Sequence, residues 1–450
     1  MTCMIPGGRR RTRRRRLTTT DESSPPPPAD IDPAPPSHRP HGIFGAVRTA
    51  FISFEQRDFR YLGLSSLALG FGQWGQQIAL AVLAYDLTGS AFQLGAVAAF
   101  RGGTGLLTAP LGGYFADRYA RRAVIMWSTV ASAIQALLFA ALILSGHIEL
   151  WHVYVLAFAG GVIQSISQPA RQSFVYDVST DETLMNAVAM NSVMQNVARI
   201  AGPPLAGAVI GLWGTGTLFA SLAGTQLIAL MFTTMISHRT RQMRRVRTAG
   251  SASPFREMWD GFSYVGTDRT LLGLMISHAI PMLLVVPYLP FLLKFATDVL
   301  GRGPAAYGLL SSMAGWGSIV GLMVLVSLGD PKRKGLLMIG VFLGYMTMVL
   351  IFTRSTNFAL SLALLAGAGV FSSVGFALNN TLLQVATENE YRGRVMSSYQ
   401  LVSGLQSLGG LPMGLAIERY GAADGVAIFV VVGIAAWAVF GLVFGSVRRM

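Results

Sequence analysis

The sequence predicts an all-α membrane protein, twelve transmembrane helices in two pseudo-symmetric six-helix bundles, from three observations. Hydrophobic residues make up 52% of the chain and charged residues only 12%, with a mean hydropathy of +0.50. The charges crowd into short segments between apolar runs of about 20 residues, each able at about 1.5 Å per residue to cross a hydrocarbon core of roughly 30 Å. A long basic stretch near the middle divides those runs six and six. A transmembrane β-barrel is excluded, because it needs alternating segments of roughly 10 residues and these runs are continuous.

Residues 1–42 carry an arginine block from Arg9 to Arg16 and prolines from Pro25 to Pro40, with little apolar material to bury. A disordered basic, proline-rich cytoplasmic tail is expected there. Leu17, Thr18, Thr19, Thr20, Asp21 and Glu22 stand where a twin-arginine export signal needs an apolar region, so that signal is excluded. Phe44, Val47, Phe51 and Phe54 recur at helical spacing between charged residues and predict a helix lying along the membrane surface.

The N-terminal bundle, 43–237, contains expected spans at 61–85, 92–116, 123–145, 151–172, 187–212 and 217–237. A cytoplasmic linker follows at 238–269, where Phe255, Met258, Trp259 and Phe262 predict an interfacial helix. The C-terminal bundle and short tail, 270–450, hold spans at 271–296, 305–329, 335–354, 358–380, 395–417 and 425–445.

Basic residues set the orientation, because cationic loops resist translocation. Arg118, Arg121 and Arg122, the arginines from Arg239 to Arg247, Lys332, Arg333 and Lys334, Arg392 and Arg394, and finally Arg448 and Arg449 all fall on one side. That predicts cytoplasmic N- and C-termini in a plasma-membrane protein. Topology thus explains most of the net charge of +14 without a nucleic-acid partner. The lone cysteine, Cys3, forms no internal disulfide or multi-cysteine metal site. With no phosphate loop, clustered metal ligands or soluble acid pair, the chain is expected to be no enzyme, with no metal and no cofactor.

The halves echo one another. Asp117 precedes Arg121 and Arg122, and Asp330 precedes Arg333 and Lys334, each set between the second and third span of its half. Gly202, Pro203, Pro204 and Gly207 in the fifth span face Gly410, Pro412 and Gly414 in the eleventh.

On these features the chain resembles the major facilitator superfamily, whose members have two six-span halves. The stretch from Gly113 to Arg122, the Pro169-Ala170-Arg171-Gln172 turn, the stretch from Asn196 to Pro203 and that from Arg392 to Met396 are similar to the branch of enterobactin exporters and macrolide efflux pumps. The likeness covers about residues 55–445. It implies that Gly113, Asp117, Arg118, Arg121 and Arg122, with Asp330 and Lys334 in the second half, form a conformational latch; Ala120 stands where the signature usually has glycine. Physically, Asp117 would accept from Arg121 and a facing helix N-terminus; the alternative is a basic turn that only fixes orientation. Gly202, Pro203 and Gly207 resemble an antiporter element that bends its helix, and an ordinary membrane kink is the alternative.

Polar residues recur at helical spacing inside the spans: Gln73 and Gln77 in the first, Gln164 and Gln168 in the fourth, Asn191, Gln195 and Arg199 in the fifth, Asn380 and Gln384 in the tenth. Such stripes face protein or water rather than lipid, and together with Arg101 in the second span they predict a shared substrate cavity. Trp74 could pack against an apolar part of the substrate. Arg101 and Arg199 have no carboxylate at their depth, which points to an anionic or electronegative substrate, or else to satisfaction by carbonyls and amides. His278 is the candidate proton carrier, since glutamines do not titrate; interhelical packing is its other reading. The expected function is secondary active export of amphipathic small molecules (drug, macrolide or siderophore-like) by a monomer in the lipid bilayer, with protons as coupling ion. The alternatives are an uncoupled facilitator or importer, or a non-transporting sensor or scaffold.

Overall fold

The computed structural model describes residues 57–179, 184–237, 254–329, 331 and 333–449; side chains at 110, 111, 116, 117, 185 and 254–259 are not described. The expected tail over 1–42, the surface helix around Phe44 to Phe54, the basic part of the linker, Asp330 and the side chain of Asp117 lie outside these residues.

The described residues are helical, with no strand among them. The order is α1 (Arg57–Thr88), α2 (Ala91–Arg118), α3 (Arg121–Leu144), α4 (Leu150–Val178), α5 (Leu184–Met235), α6 (Pro254–Thr267), α7 (Arg269–Leu284), α8 (Tyr288–Lys294) with a π-helical turn at Phe295–Val299, α9 (Pro304–Leu328), α10 (Lys334–Thr353), α11 (Phe358–Ala386), α12 (Arg392–Ser403), α13 (Leu405–Val443) and α14 (Gly445–Arg448). Among the described residues, eight helical stretches are long and apolar enough to cross a membrane. The helix α1, the helix α2 and the stretch over 392–420 are not among them; they carry polar groups such as Gln73, Gln76, Arg101 and Arg394 that lower their hydropathy.

Helix starts follow local chemistry. Ser90 accepts from the Gln93 N–H at the start of α2, Asp268 from Thr270 and Leu271 at α7, and Asn357 from Ala359 and Leu360 at α11. The long runs α5 and α13 each reverse at one glycine in the left-handed region, Gly214 (φ 83) and Gly421 (φ 86). A side chain at either position would be strained, so these two glycines set where one helix becomes the next.

Lipid supplies no hydrophobic drive between helices, so close packing has to hold them together. Helix α1 packs on α5, α2 on α4, and α3 on both α4 and α5; α9 and α10 pack on α11, α7 and α10 on α13, and α6 on α12. Aromatic stacks fill both sets, Phe139 on Phe219 in the first and Trp437 between Phe342 and Phe440 in the second. The main pairings between the sets are α5 with α9 and α13 with α2, with α8 also touching α1 and α2, and they form a seam.

Candidate transport site

The seam is built from glycine. A Cβ on Gly207 would lie 2.5 Å from the Pro304 carbonyl, one on Gly414 2.9 Å from that of Ala91, and one on Gly315 2.9 Å from Ile200. Gly95 meets the Gly410 carbonyl and Gly308 that of Pro203 more closely still. Side chains there would push the helices apart.

The seam has two unlike ends. At the far end, away from the chain termini, Glu418 of α13 accepts from the Ser90 hydroxyl at 2.9 Å and the Phe92 N–H at 3.0 Å. It thereby puts a negative charge on the N-terminus of α2, where the helix dipole favours one. The Tyr85 hydroxyl of α1 donates to Asp298 at 3.2 Å, and Lys294 pairs with Asp298 at 2.6 Å and faces the Tyr85 ring. At the terminal end, which carries Arg57, Arg121 and Arg448, no hydrogen bond crosses the seam between described residues. Gly113 of α2 has no neighbour within 4 Å of its Cβ position.

Of the expected latch residues, Arg118, Arg121 and Arg122 bond within the first set of helices. Arg121 pairs with Asp177 of α4 at 2.5 Å and also donates to the Ser173 carbonyl. Arg122 donates to the Thr233 and Thr234 carbonyls at the end of α5, satisfying acceptors a helix terminus leaves open. Arg118 reaches the Tyr114 hydroxyl at 2.8 Å. Lys334 starts α10. Helix α5 keeps helical dihedrals through Pro203 and Pro204 and departs from them at Gly214. Gly202 admits Trp74 of α1, while Pro203 and Gly207 lie on the seam.

The expected polar stripes fall in three places. Gln73, Arg101 and Gln164 line a cavity of about 40 Å³ inside the first set, together with Gln76, Gln135 and Arg171. Arg101 donates to Gln76 (3.2 Å) and Gln164 (3.1 Å), and Gln76 donates to Gln135. Gln135, on the same network, donates to the Leu156 carbonyl. On the seam stands Arg199, whose Nε is buried without a hydrogen-bond partner and lies 3.8 Å from the Cβ position of Gly315 on α9. Gln195, a turn earlier, lies beside Gly70 of α1. Gln77 and Asn191 are half-buried, and the Gln168 oxygen is buried and unpaired. In the second set Gln384 donates to Asn380, which bonds Tyr399 of α12. The polar cavity is therefore a feature of the first set, and Asn380 and Gln384 lie apart from it.

His278 is buried at 1% exposure, stacked on Tyr399 with centroids 3.9 Å apart and edge-on to Phe376. Its Nε2 meets the Ser403 hydroxyl at 2.8 Å while Nδ1 is unpartnered. The Ser403 hydroxyl also reaches the Tyr399 carbonyl at 3.1 Å, and when it donates there Nε2 is left to donate to its oxygen. This geometry is that of a packed side chain.

A family model described as Major Facilitator Superfamily matches residues 62–410. The chain belongs to that superfamily. It is accordingly a multi-pass membrane transporter rather than an enzyme. Its relatives include the staphyloferrin A transporter of Staphylococcus aureus, 23% identical over 80% of this chain and 90% of that protein. The enterobactin exporter EntS of Shigella flexneri is 23% identical over 78% of this chain and 79% of its own length. Among solved structures, the nucleoside transporter NupG superposes with a TM-score of 0.69 at 13% identity, over 86% of this chain and 99% of that one. A bacterial homologue of the human lysosomal transporter Spinster gives 0.67 at 13%, over 87% and 98%. The shared major facilitator fold follows from these.

Several residues of this transporter are not visible to helical spacing. Asp177, the partner of Arg121, lies far from it in sequence. Buried Asn379 donates to the Leu274 carbonyl and Ser277, tying α11 to α7. Arg171 lies at the edge of an expected span that ends at 172, whereas α4 runs on to Val178; its place in the Pro169–Gln172 turn was the available signal.

Proposed function

We propose that this transporter is a secondary exporter of amphipathic small molecules of the drug, macrolide or siderophore kind. In this reading it works as a plasma-membrane monomer with twelve crossings and cytoplasmic termini, and residues 43–237 and 270–450 form two bundles joined by the linker 238–269. Substrate passes along the seam between the bundles by alternating access.

One observation carries the reading. Arg199 stands on the seam between α5 and α9 with a buried, unpartnered Nε. A half-buried guanidinium with an unpartnered Nε and no carboxylate is costly until an anion, a carbonyl or water satisfies it, so the seam suits a substrate with acidic or electronegative groups. The siderophore names of two relatives agree with that class. In proteoliposomes, a panel of such compounds should be transported by the native protein, and Arg199→Gln should lower uptake of the acidic members at least about tenfold. Undiminished transport of an acidic substrate by that variant removes the idea.

An uncoupled facilitator is the second reading, because Asp177, near the end of α4, is the one buried acid among the described residues. An imposed pH gradient separates the two. Proton coupling through His278 predicts that His278→Gln still exchanges substrate yet ignores the gradient, whereas a facilitator ignores it from the start.

A further inference from the structure

The cavity inside the first set of helices has a composition that transport along the seam does not use. Its titratable lining consists of Arg101 and Arg171, with no aspartate or glutamate. Arg101 is held by two glutamine oxygens. Arg171 makes no hydrogen bond among the described residues, and its Nη2 is buried. The nearest acid along α4, Asp177, is already taken by Arg121. Ser128 and Thr129 in the lining donate to carbonyls of their own helix, which leaves them self-satisfied.

Two guanidinium groups around one cavity in a low-dielectric bundle repel each other and lack a counter-charge. Glutamine oxygens stabilise one of them by dipole alone. Glutamine also offers N–H donors, so the lining presents donors to a negative guest from several sides. Room of about 40 Å³ suits a guest of two or three water-sized groups and excludes a siderophore or macrolide. We infer that this cavity binds a small monovalent anion of chloride size, through Arg171 and Arg101, as a stabilising ligand separate from the transported substrate.

The test uses the full-length protein purified in sodium gluconate. Thermal unfolding is followed while gluconate is replaced by chloride at constant ionic strength. A ligand that binds only the folded state raises the midpoint with the logarithm of its concentration above its dissociation constant, here by about 3 °C at some hundredfold excess of chloride. Bromide should act like chloride. Arg171→Gln should show no chloride response, Arg171→Lys a reduced one because it keeps the charge, and Arg118→Gln, an exposed arginine, the full one. A native protein indifferent to the exchange overturns the inference, as does an Arg171→Gln protein that responds like the native one. Either result leaves the export reading untouched, since that rests on Arg199 and the seam.

Discussion

The two ends of the seam use the same helices in different ways. Toward the far end α2 presents Gly95 to the Gly410 carbonyl and Gly102 to the Ser407 side chain of α13, and Glu418 caps the α2 N-terminus. Toward the terminal end the same helix presents Gly113 with nothing opposite it, and its neighbouring arginines bind inside their own set. The far end is therefore held by glycine spacing, one borrowed cap and the Tyr85–Asp298 hydrogen bond rather than by ion pairs across the seam, and the end rich in charge is the one where the described residues make no crossing bond.

The sharpest way to break this comparison is a matched pair of wedges on α2. Gly95→Leu drives a side chain into the Gly410 carbonyl, so the far end should no longer close and transport in proteoliposomes should fall to a few per cent or less of native, about a 30-fold loss. Gly113→Leu places its Cβ in open space in this conformation and should leave the unfolding midpoint unchanged. If the terminal end closes in the other half of the cycle, that variant should nonetheless transport poorly. Native rates in both variants would mean that neither end closes by helix contact.

A smaller shift is expected from the cap. Glu418→Gln keeps the shape but removes the charge that α2 attracts. The lost stabilisation, about 1.5 kcal/mol for a charged hydrogen bond, should raise the population open at the far end about tenfold. Spin labels on Gln93 and Arg419 read this as a longer distance, and the lone native cysteine, Cys3, simplifies labelling. An unchanged distance distribution would assign closure to the glycines alone.

The fold is legible in the sequence because bilayer thickness fixes span length and because loops show their charge. The polar sites are legible only halfway. Spacing puts Gln73 and Gln77 on one face of α1, yet Gln73 lines the cavity, Gln77 does not, and Gln76, off that stripe, holds Arg101. Which amide finds a partner is decided by how α1 meets α2 and α3, and no local period encodes that. Arg101 and Arg199 look alike as lone mid-span arginines. The structure separates them, one satisfied by amides inside a helix set and the other unpartnered on the seam. Asp177 escapes for the same reason: its pairing with Arg121 spans α3 and α4, whereas the motif directs attention to an aspartate four residues away.

The smallest effect on the seam concerns that pairing. Asp177 is 6% exposed at its side chain, so Arg121→Ala would leave a buried carboxylate without its cation and also free the Ser173 carbonyl. The expected cost is about 1–3 kcal/mol, read as an unfolding midpoint a few degrees lower. Asp177→Asn should cost less, because a neutral amide is cheaper to bury than an unpaired charge. Because α3 and α4 pack against each other, a purely structural pair moves with its helices as a unit and leaves the distance between the Gln93 and Arg419 labels as it was. A latch behaves otherwise: losing Arg121 would alter that distance and the transport rate at least as strongly as it alters the midpoint. Measured side by side on one variant, the midpoint and the label distance thus decide whether the charged end of α2 and α3 holds the bundle together or times its opening.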